Sequence, residues 1–266
     1  MKATIIINTN NQNKYLKRAI ISALHQNYFD YEVIIADLSK NKNYTIRQEF
    51  KKNKKIKFLN LKEKFLYPTQ NQLYAIKQAV EYSKGQYIFL LDGDDYFSKD
   101  KLRIIFNYVK NNKKFLMDKP IVFNEFTKKK LKKMELNKLK KNYIYQIFFN
   151  NWPSITCTSA ITIKKEILKK FFKITDPFKY KHLAIDIQLT AFANLTICTT
   201  YLEEDLTFKS QNNKNLDRSY SNLLNKKFWI RRWEQHKFFN SKNKKKFKGV
   251  DYLITWFIVY FFLKIF

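Results

Sequence analysis

Apolar residues in the first part of the chain occur as short runs, separated by stretches with helical spacing. The runs at 3–7, 32–36 and 87–91 are apolar and rich in β-branched or aromatic residues, which predicts strands buried on both faces of a sheet. Between them, 14–26 and 72–83 carry apolar residues at intervals of three and four, which predicts helices. Because strand and helix alternate, we expect right-handed parallel units and an α/β fold.

The rest of the chain contains further elements of both kinds. The pattern predicts a helix over 101–109, a strand over 121–126 and a helix over 182–193. The strongly basic stretch 128–141 is typical of a solvated helix or of one side of a hairpin. From Lys226 the composition shifts to basic and aromatic residues, which predicts a separate tail over 226–266.

Three aspartates stand directly after the apolar run at 87–91. Asp92, Asp94 and Asp95 lie just beyond a predicted strand, where open α/β sheets hold their ligands. Carboxylates grouped this closely repel one another unless a cation or several donors meet them. Gly93 allows a tight bend with Asp92 and Asp94 on one side, and such oxygen ligands suit Mg²⁺ or Mn²⁺ with a nucleotide's phosphates. The alternative is a polar turn that caps the helix beginning near Ser98.

Composition and charge narrow the class of protein. The 266 residues suffice for a full core, and 45% of them are hydrophobic, so disorder is not expected. The 52 Lys and Arg residues against 22 Asp and Glu residues give a net charge of +30, which favours a polyanionic partner such as nucleic acid or an anionic membrane. Cys157 and Cys198 are too few for a disulfide framework, and no secretory signal is visible, so we expect a reduced cytosolic compartment.

Four segments, in this order, resemble the motifs of family 2 glycosyltransferases with the GT-A fold. They are Ile5–Asn11, Ala19–Gln26, Glu32–Asp37 and Ser83–Asp95. The resemblance implies an α/β fold with a Rossmann-like, mostly parallel sheet flanked by helices, followed by a C-terminal helical tail. It assigns nucleotide-sugar binding to 1–115 and acceptor binding to 116–225.

By this resemblance, the first half of the domain holds the sugar donor. Thr9 and Asn11 would line the nucleotide pocket, and Asp37 would bind the base, which is usually uracil or another pyrimidine. Asp92 and Asp94 would be the family's DxD pair and hold Mn²⁺ or Mg²⁺. Asp94 would be the direct metal ligand, while Asp92 would lie nearer the ribose of the nucleotide.

The resemblance also assigns roles in the second half. Asp186 would be the catalytic base, although a helix cap or an exposed position is the alternative for a lone aspartate here. Lys209 would contact the diphosphate of the donor. Trp152 and Ser159 would lie beside the acceptor, and for Trp152 the alternative is a place in the core. Ile185 stands where the family has a Glu before the base.

Two further positions depart from the family's pattern in the donor half. Asn8 stands where the family prefers Pro, and Lys77 replaces the Asn or Arg that is often found in the helix before the DxD strand. The identity of the base that the chain binds is therefore an open question at this point.

The tail, 226–266, combines basic and aromatic residues and then becomes apolar from Tyr252 to Leu263. A spanning helix needs about 20 apolar residues, so this run is too short to cross a bilayer. A basic, Trp-rich lead followed by an apolar helix suits the surface of an anionic membrane. We therefore expect a cytoplasmic protein bound peripherally to the inner face of the cell membrane; a core helix or a dimer contact is the alternative.

The expected function is transfer of a sugar, with inversion, from a nucleotide diphosphate donor to an acceptor. The donor would be a UDP-sugar, and the acceptor a hydroxyl of a glycan or lipid-linked molecule in capsule, lipopolysaccharide or a similar bacterial surface polymer. One alternative is a catalytically inactive, membrane-bound member of the family. The other is a basic protein that binds polyanions, although no nucleic acid is expected as a partner because no signature of nucleic-acid binding is visible.

Overall fold

A seven-stranded sheet forms the centre of the computed structural model, which describes residues 2–40, 44–127, 129–133, 156–211, 220, 223–242 and 249–263. The strands, in chain order, are β1 (Ala3–Thr9), β2 (Tyr31–Asp37), β3 (Ile56–Asn60), β4 (Tyr87–Asp92), β5 (Tyr96–Phe97), β6 (Phe115–Met117), β7 (Ile121–Asn124), β8 (Lys130–Lys133), β9 (Ile161–Lys164), β10 (Thr200–Tyr201) and β11 (Thr207–Gln211). The order in the main sheet is β10-β6-β9-β4-β1-β2-β3. Strands β1 to β4 are mutually parallel, and β9 runs antiparallel to both β4 and β6. The predicted mostly parallel sheet is confirmed.

Helices cover both faces of this sheet. In the part of the chain that the structure describes, they are α1 (Asn13–Leu24), α2 (Tyr44–Phe50), α3 (Pro68–Tyr82), α4 (Lys101–Val109), α5 (Lys165–Ile174), α6 (Ile185–Thr196), α7 (Lys226–Lys242) and α8 (Val250–Phe257). Helix α3 begins four residues before the predicted start, with Pro68 in its first turn, where a missing backbone N–H costs nothing.

Two apolar layers explain why the strands read as unbroken apolar runs. Alternate residues of β1 enter opposite layers: Ile6 packs with α3, α5 and α6, whereas Ile5 packs with α1 and α4. Both side chains are buried, as are their neighbours along β2 and β4. Each strand therefore needs apolar residues on both faces, as a sheet covered on both sides requires.

The two predicted halves, 1–115 and 116–225, share the main sheet. Strands β1 to β4 come from the first half and β9 and β10 from the second, while β6 crosses the boundary between them. A smaller sheet, in the order β5-β11-β7-β8, stands beside it. Strand β8 pairs antiparallel with β7, so residues 130–133 of the basic stretch form one side of a hairpin rather than a helix. Residues 128 and 134–141 lie outside the described residues.

The tail is helical where the structure describes it. Helix α7 packs against α6, and its Phe238 and Phe239 belong to the same apolar cluster as α3 and α5. Helix α8 continues into a π-helical turn at Ile258–Phe262 and packs on α7. Among the described residues, no helix combines the length and the apolar character that crossing a bilayer requires.

Candidate active site

The predicted site residues of the first half meet at the carboxyl edge of β1, β2 and β4. In the strand register, Asn8 lies beside Asp92 and Thr9 beside Asp37. Strand β1 stands between β2 and β4, and the chain moves outward from it in both directions. This point, where the strand order reverses, is where open α/β sheets form a crevice for a ligand. The turn at residues 92–95, which we call the acidic turn, and Asp37 therefore border one crevice, as the sequence predicts.

Backbone bonds and close packing hold the acidic turn against the end of β1. The Gly93 amide donates to the Asn8 carbonyl at 2.9 Å, and the Asp95 amide donates to the Asp92 carbonyl at 3.0 Å. A Cβ atom added to Gly93 would come within 2.9 Å of the Thr9 hydroxyl and 2.7 Å of Gln12 Oε1. Gly93 has no left-handed backbone angle. The turn therefore requires glycine because space is short, and not because of the backbone freedom that the sequence suggested.

Two amide side chains hold the carboxylate of Asp92. Asn8 Nδ2, from the end of β1, and Gln72 Nε2, from the second turn of α3, both donate to Asp92 Oδ1, the latter at 2.9 Å. Burial, together with the charge of Asp94, raises the pKa of Asp92 to about 7, although the hydrogen bond from Asn8 opposes the rise. The two amides thus favour the ionised form of a carboxylate that its surroundings would otherwise protonate.

The neighbouring aspartates of the turn face different partners. The Asp95 carboxylate is buried and accepts from the Ser159 hydroxyl at 2.6 Å and from the Ser210 amide at 2.8 Å. Burial raises the pKa of Asp94, whereas a hydrogen bond from Gln12 and the charge of Lys209 lower it. Asp95 therefore fixes the turn to the second half of the domain, and Asp92 and Asp94 remain as the pair for a cation.

Asp37, Asn11 and Thr9, the other three residues that the resemblance assigns to the nucleotide, lie in or beside the loops after β1 and β2. The buried Asp37 carboxylate accepts from the Ser39 amide at 2.9 Å. Asn11 adopts a left-handed backbone angle, φ 56°, and its amide donates to the Ser39 hydroxyl at 2.8 Å. Thr9 is fully buried, and its hydroxyl has no hydrogen-bond partner among the described residues. The loops after β1 and β2 are therefore tied together, with Thr9 beneath Gly93 as part of the floor.

Asp186 and Lys209 reach the same region from the second half. Asp186 is the second residue of α6, and its Oδ1 accepts from the Ile187 amide at 2.8 Å. Burial and Asp94 raise the pKa of Asp92 most; after them, the charge of Asp186 raises it and that of Lys209 lowers it. Both residues therefore lie within electrostatic range of Asp92. Ala184, and not Asp186, occupies the position that caps α6.

Ser159 and Trp152 are the two residues predicted to lie beside the acceptor. Ser159 is fully buried; its hydroxyl donates to Asp95 and accepts from the Asp92 amide at 3.0 Å. The predicted role beside the acceptor is therefore corrected: Ser159 supports the acidic turn from behind, because a buried hydroxyl with these two partners does not face an acceptor. Trp152 lies outside the described residues.

Sequence reasoning missed a buried lysine that supports this turn. Lys101 is completely buried, and its ammonium group lies 2.5 Å from the buried Asp118 carboxylate. The same ammonium donates to the Ser159 carbonyl at 2.8 Å and to the Thr207 hydroxyl at 2.7 Å. Lys101 thereby holds in place the 3-10 helical turn Thr158–Ala160, which contains Ser159. In a chain this rich in lysine, nothing in the sequence distinguishes this one from those at the surface.

Arg18 is a second support that the sequence did not indicate. Its guanidinium donates to the Asp94 carbonyl at 2.6 Å, to Glu125 and to the Ser210 hydroxyl at 2.8 Å. It also lies over the ring of Tyr96, 4.7 Å from its centre. These contacts join α1, the acidic turn and the smaller sheet, so the position of Asp94 depends on both halves of the domain.

The donor set at the turn suits a metal that is shared with a nucleotide. Among the described residues, no three His, Cys, Asp or Glu side chains are arranged as a complete metal site. Mg²⁺ and Mn²⁺ in nucleotide sites commonly take one or two carboxylates and complete their coordination with phosphate oxygens and water. Asp92 and Asp94 supply this number, and partial burial raises the pKa of each, so a cation would stabilise their ionised forms.

Comparison with known proteins gives one family model and several relatives. The model is described as glycosyl transferase family 2, and it matches residues 4–172. The chain is 27% identical over 172 residues to the uncharacterized glycosyltransferase MJ1057 of Methanocaldococcus jannaschii, which covers 63% of this chain and 57% of that protein. It is 33% identical over 114 residues to poly(ribitol-phosphate) beta-N-acetylglucosaminyltransferase TarP of Staphylococcus aureus, which covers 42% of this chain and 34% of that protein. These matches span about a third to somewhat more than half of the relatives' lengths.

Solved structures resemble the chain over almost its whole length. Residues 1–349 of S. aureus TarS in complex with UDP-GlcNAc superpose with a TM-score of 0.67 at 16% identity, covering 97% of this chain and 73% of that one. The mannosyltransferase PcManGT from Pyrobaculum calidifontis, in complex with GDP-Man and Mn²⁺, gives a TM-score of 0.62 at 11% identity, covering 96% and 69%. Likeness at such low identity shows the fold alone, and it confirms the predicted GT-A architecture.

Proposed function

Because this chain belongs to glycosyl transferase family 2, we propose that it transfers a sugar from a nucleotide diphosphate donor to a hydroxyl group of an acceptor. The main support for this proposal is that acidic groups lie close together at one edge of the main sheet. Asp37 ends β2 and Asp92 ends β4, the two parallel strands on either side of β1, Asp94 follows in the turn, and the charge of Asp186 acts on Asp92 from α6. The family match covers residues 4–172, whereas the proposed sugar transfer is an activity of the whole chain.

The donor would lie across the carboxyl ends of β1, β2 and β4. Asp37 would accept hydrogen bonds from the base, with Asn11 beside it, and Asp92 would bind near the ribose. A Mn²⁺ or Mg²⁺ ion held by Asp94 and Asp92 would supply positive charge to the departing diphosphate. Lys209, whose charge already acts on both aspartates, would add to that stabilisation.

Asp186 would act as the general base of the transfer. A carboxylate oxygen of Asp186 would accept the proton of the acceptor hydroxyl as that oxygen bonds to the anomeric carbon, while the bond from that carbon to the diphosphate breaks. Attack from the side opposite the leaving group inverts the configuration at this carbon. The amide of Ile187 donates to Asp186 Oδ1 and so orients the carboxylate.

The proposed donor is a UDP-sugar and the proposed acceptor is a glycan of the bacterial surface, such as capsule or lipopolysaccharide. The TarS structure holds UDP-GlcNAc, which supports a uridine nucleotide, whereas PcManGT holds GDP-Man. TarP, by its name, acts on poly(ribitol-phosphate). A net charge of +30 supports an anionic or lipid-linked acceptor for this chain as well.

A transfer assay with the full chain tests the proposal. UDP-sugars, Mn²⁺ and surface-glycan acceptors are supplied, release of UDP is followed, and NMR gives the anomeric configuration of the product. Asp186→Asn should lower turnover at least about a hundredfold, the usual effect of losing a general base. Asp176→Asn is the matched control, because Asp176 is exposed and has a left-handed backbone angle that Asn tolerates.

Three outcomes would contradict parts of the proposal. Near-full turnover in a folded Asp186→Asn protein would show that another group is the base. Nucleotide binding without any turnover would indicate the catalytically inactive family member. Retention on heparin that UDP and Mn²⁺ do not change, in a protein that binds no nucleotide, would favour the polyanion-binding alternative that the net charge suggests.

A further inference from the structure

The C-terminal helix, formed by α8 and the π-helical turn (250–262), packs with its polar residues inward. Asp251, Thr255 and Val259, spaced four apart, are its buried side chains. Asp251 accepts from Arg232 Nη2 of α7 at 3.1 Å, and the Thr255 hydroxyl lies 3.4 Å from His236 Nε2 of the same helix. The contact with the rest of the protein is therefore made largely by polar and charged groups.

The opposite side of this helix carries its large apolar residues. They are Leu253, Ile254, Trp256, Phe257, Phe261 and Phe262, with exposed fractions from 38% to 72%; we call them the outer face. Their rings contact one another, as in the pair Phe257–Phe261 at 4.8 Å between centres. An amphipathic helix in water normally buries its apolar side. This one has the reverse orientation, which leaves a continuous apolar surface of the kind that marks an interaction site.

Charge identifies what covers the outer face. Helix α7, which packs against the C-terminal helix, contains six Lys and Arg residues against one Glu. Lys179 and Lys237 line a cleft of about 290 Å³ together with Tyr252, at the side of the C-terminal helix. A second copy of this chain would bring the same positive segment against itself, which like-charge repulsion disfavours, especially at a net charge of +30. An apolar surface beside a basic segment instead matches a bilayer with anionic headgroups.

We propose that the outer face inserts into the interface of an anionic membrane, with lipid phosphate groups at Lys179 and Lys237. Helix α7 attaches this docking surface to the catalytic domain: Arg231 Nε donates to the carbonyl of His182 at 3.1 Å, four residues before Asp186. Docking would therefore hold the proposed acceptor half close to the lipid surface. This inference does not depend on sugar transfer, since vesicle binding is measured without donor or acceptor.

Vesicle sedimentation with the full chain tests the proposal. The protein should bind phosphatidylglycerol vesicles at least about tenfold more tightly than phosphatidylcholine vesicles, because basic residues add to the apolar term only at an anionic surface. Trp256→Ser/Phe257→Ser/Phe261→Ser should weaken binding about a hundredfold, since three rings no longer leave water. The control, Phe29→Ser/Tyr44→Ser/Leu66→Ser, removes three apolar side chains elsewhere that are even more exposed, and it should change binding less than about twofold.

A second readout does not depend on the triple variant folding. Trp256 fluorescence should shift to shorter wavelength with phosphatidylglycerol vesicles, and Trp256→Phe should keep the binding but lose the shift. Equal binding to both lipids, equal loss in the control variant, or unchanged binding in the outer-face variant would overturn the proposal. So would a dimer in light scattering that only the outer-face variant abolishes, because a second copy would then be the occupant.

Discussion

Removal of either amide that holds Asp92 should weaken nucleotide binding in a way that depends on pH. Asn8→Ala and Gln72→Ala each remove one donor from Asp92 Oδ1 and leave the strand and helix that carry them in place. Asn8 stands where the family prefers Pro, which has no such donor, so this contact belongs to the chain's own version of the site.

The size of the effect follows from the charge on Asp92. A hydrogen bond to a charged group contributes about 1.5–3 kcal/mol, which corresponds to a rise of about one to two units in the pKa of Asp92 when the bond is lost. From a pKa of about 7, the ionised fraction at pH 7 would fall from about one half to between about 1% and 10%. Affinity for a nucleotide with Mg²⁺ should fall about five- to fiftyfold, because the metal needs the ionised carboxylate.

Calorimetric titration with UDP in the presence of Mg²⁺, at pH 7.0 and 8.5, measures this fall in affinity. At pH 8.5 the wild-type carboxylate is almost fully ionised, so the difference should shrink to about fourfold or less. Asn10→Ala is the matched control, because Asn10 lies two residues after Asn8, just beyond β1, and donates to Glu63 instead. An equal loss at both pH values would show that the amides do not act through the charge of Asp92, and would indicate a steric role.

Three further predictions concern the turn, the tail and the buried ion pair. Gly93→Ala should lower nucleotide affinity at least about tenfold while the protein stays folded, because the new methyl group crowds Thr9. Calorimetry measures the affinity, and circular dichroism shows whether the protein is folded. Burial lowers the pKa of His236 to about 4. The free energy of unfolding, measured in urea, should therefore fall by about 3 kcal/mol as the pH is lowered from about 6.5 toward 4, and His236→Gln should abolish this decrease. Lys101→Met should cost about 3–5 kcal/mol, and adding Asp118→Leu should restore much of it; no recovery would contradict a cost that arises from an uncompensated buried charge.

Hydrophobic patterning was sufficient to predict the elements that form the donor half. The runs that become β1, β2 and β4 are buried on both faces, so the sequence must keep them apolar throughout. Since parallel strands end at a common edge, the polar residues that follow them also had to meet there. The sequence alone therefore predicts that Asp37, Asp92 and Asp94 border one crevice.

Other features of the site depend on contacts between distant segments, which no local pattern encodes. Gln72 reaches Asp92 because α3 begins at Pro68 and passes the end of β4. Ser159 fits the family's acceptor motif, yet it is buried behind the turn because Lys101 holds its loop from the core. The inward side of the C-terminal helix could not be predicted from composition, since apolar residues usually pack toward the protein.

Thermal unfolding shows whether the acidic turn forms a metal-dependent nucleotide site. UDP, GDP, CDP and ADP are each added at 1 mM, with and without Mn²⁺, to the wild-type chain and to Asp94→Asn. A ligand at about one hundred times its dissociation constant adds about 2.7 kcal/mol, which raises the midpoint by about 5 °C or more in a chain of this size. We expect such a rise for UDP, only with Mn²⁺, and its loss in Asp94→Asn. A midpoint that no nucleotide changes, or a rise that needs neither Mn²⁺ nor Asp94, would contradict this expectation.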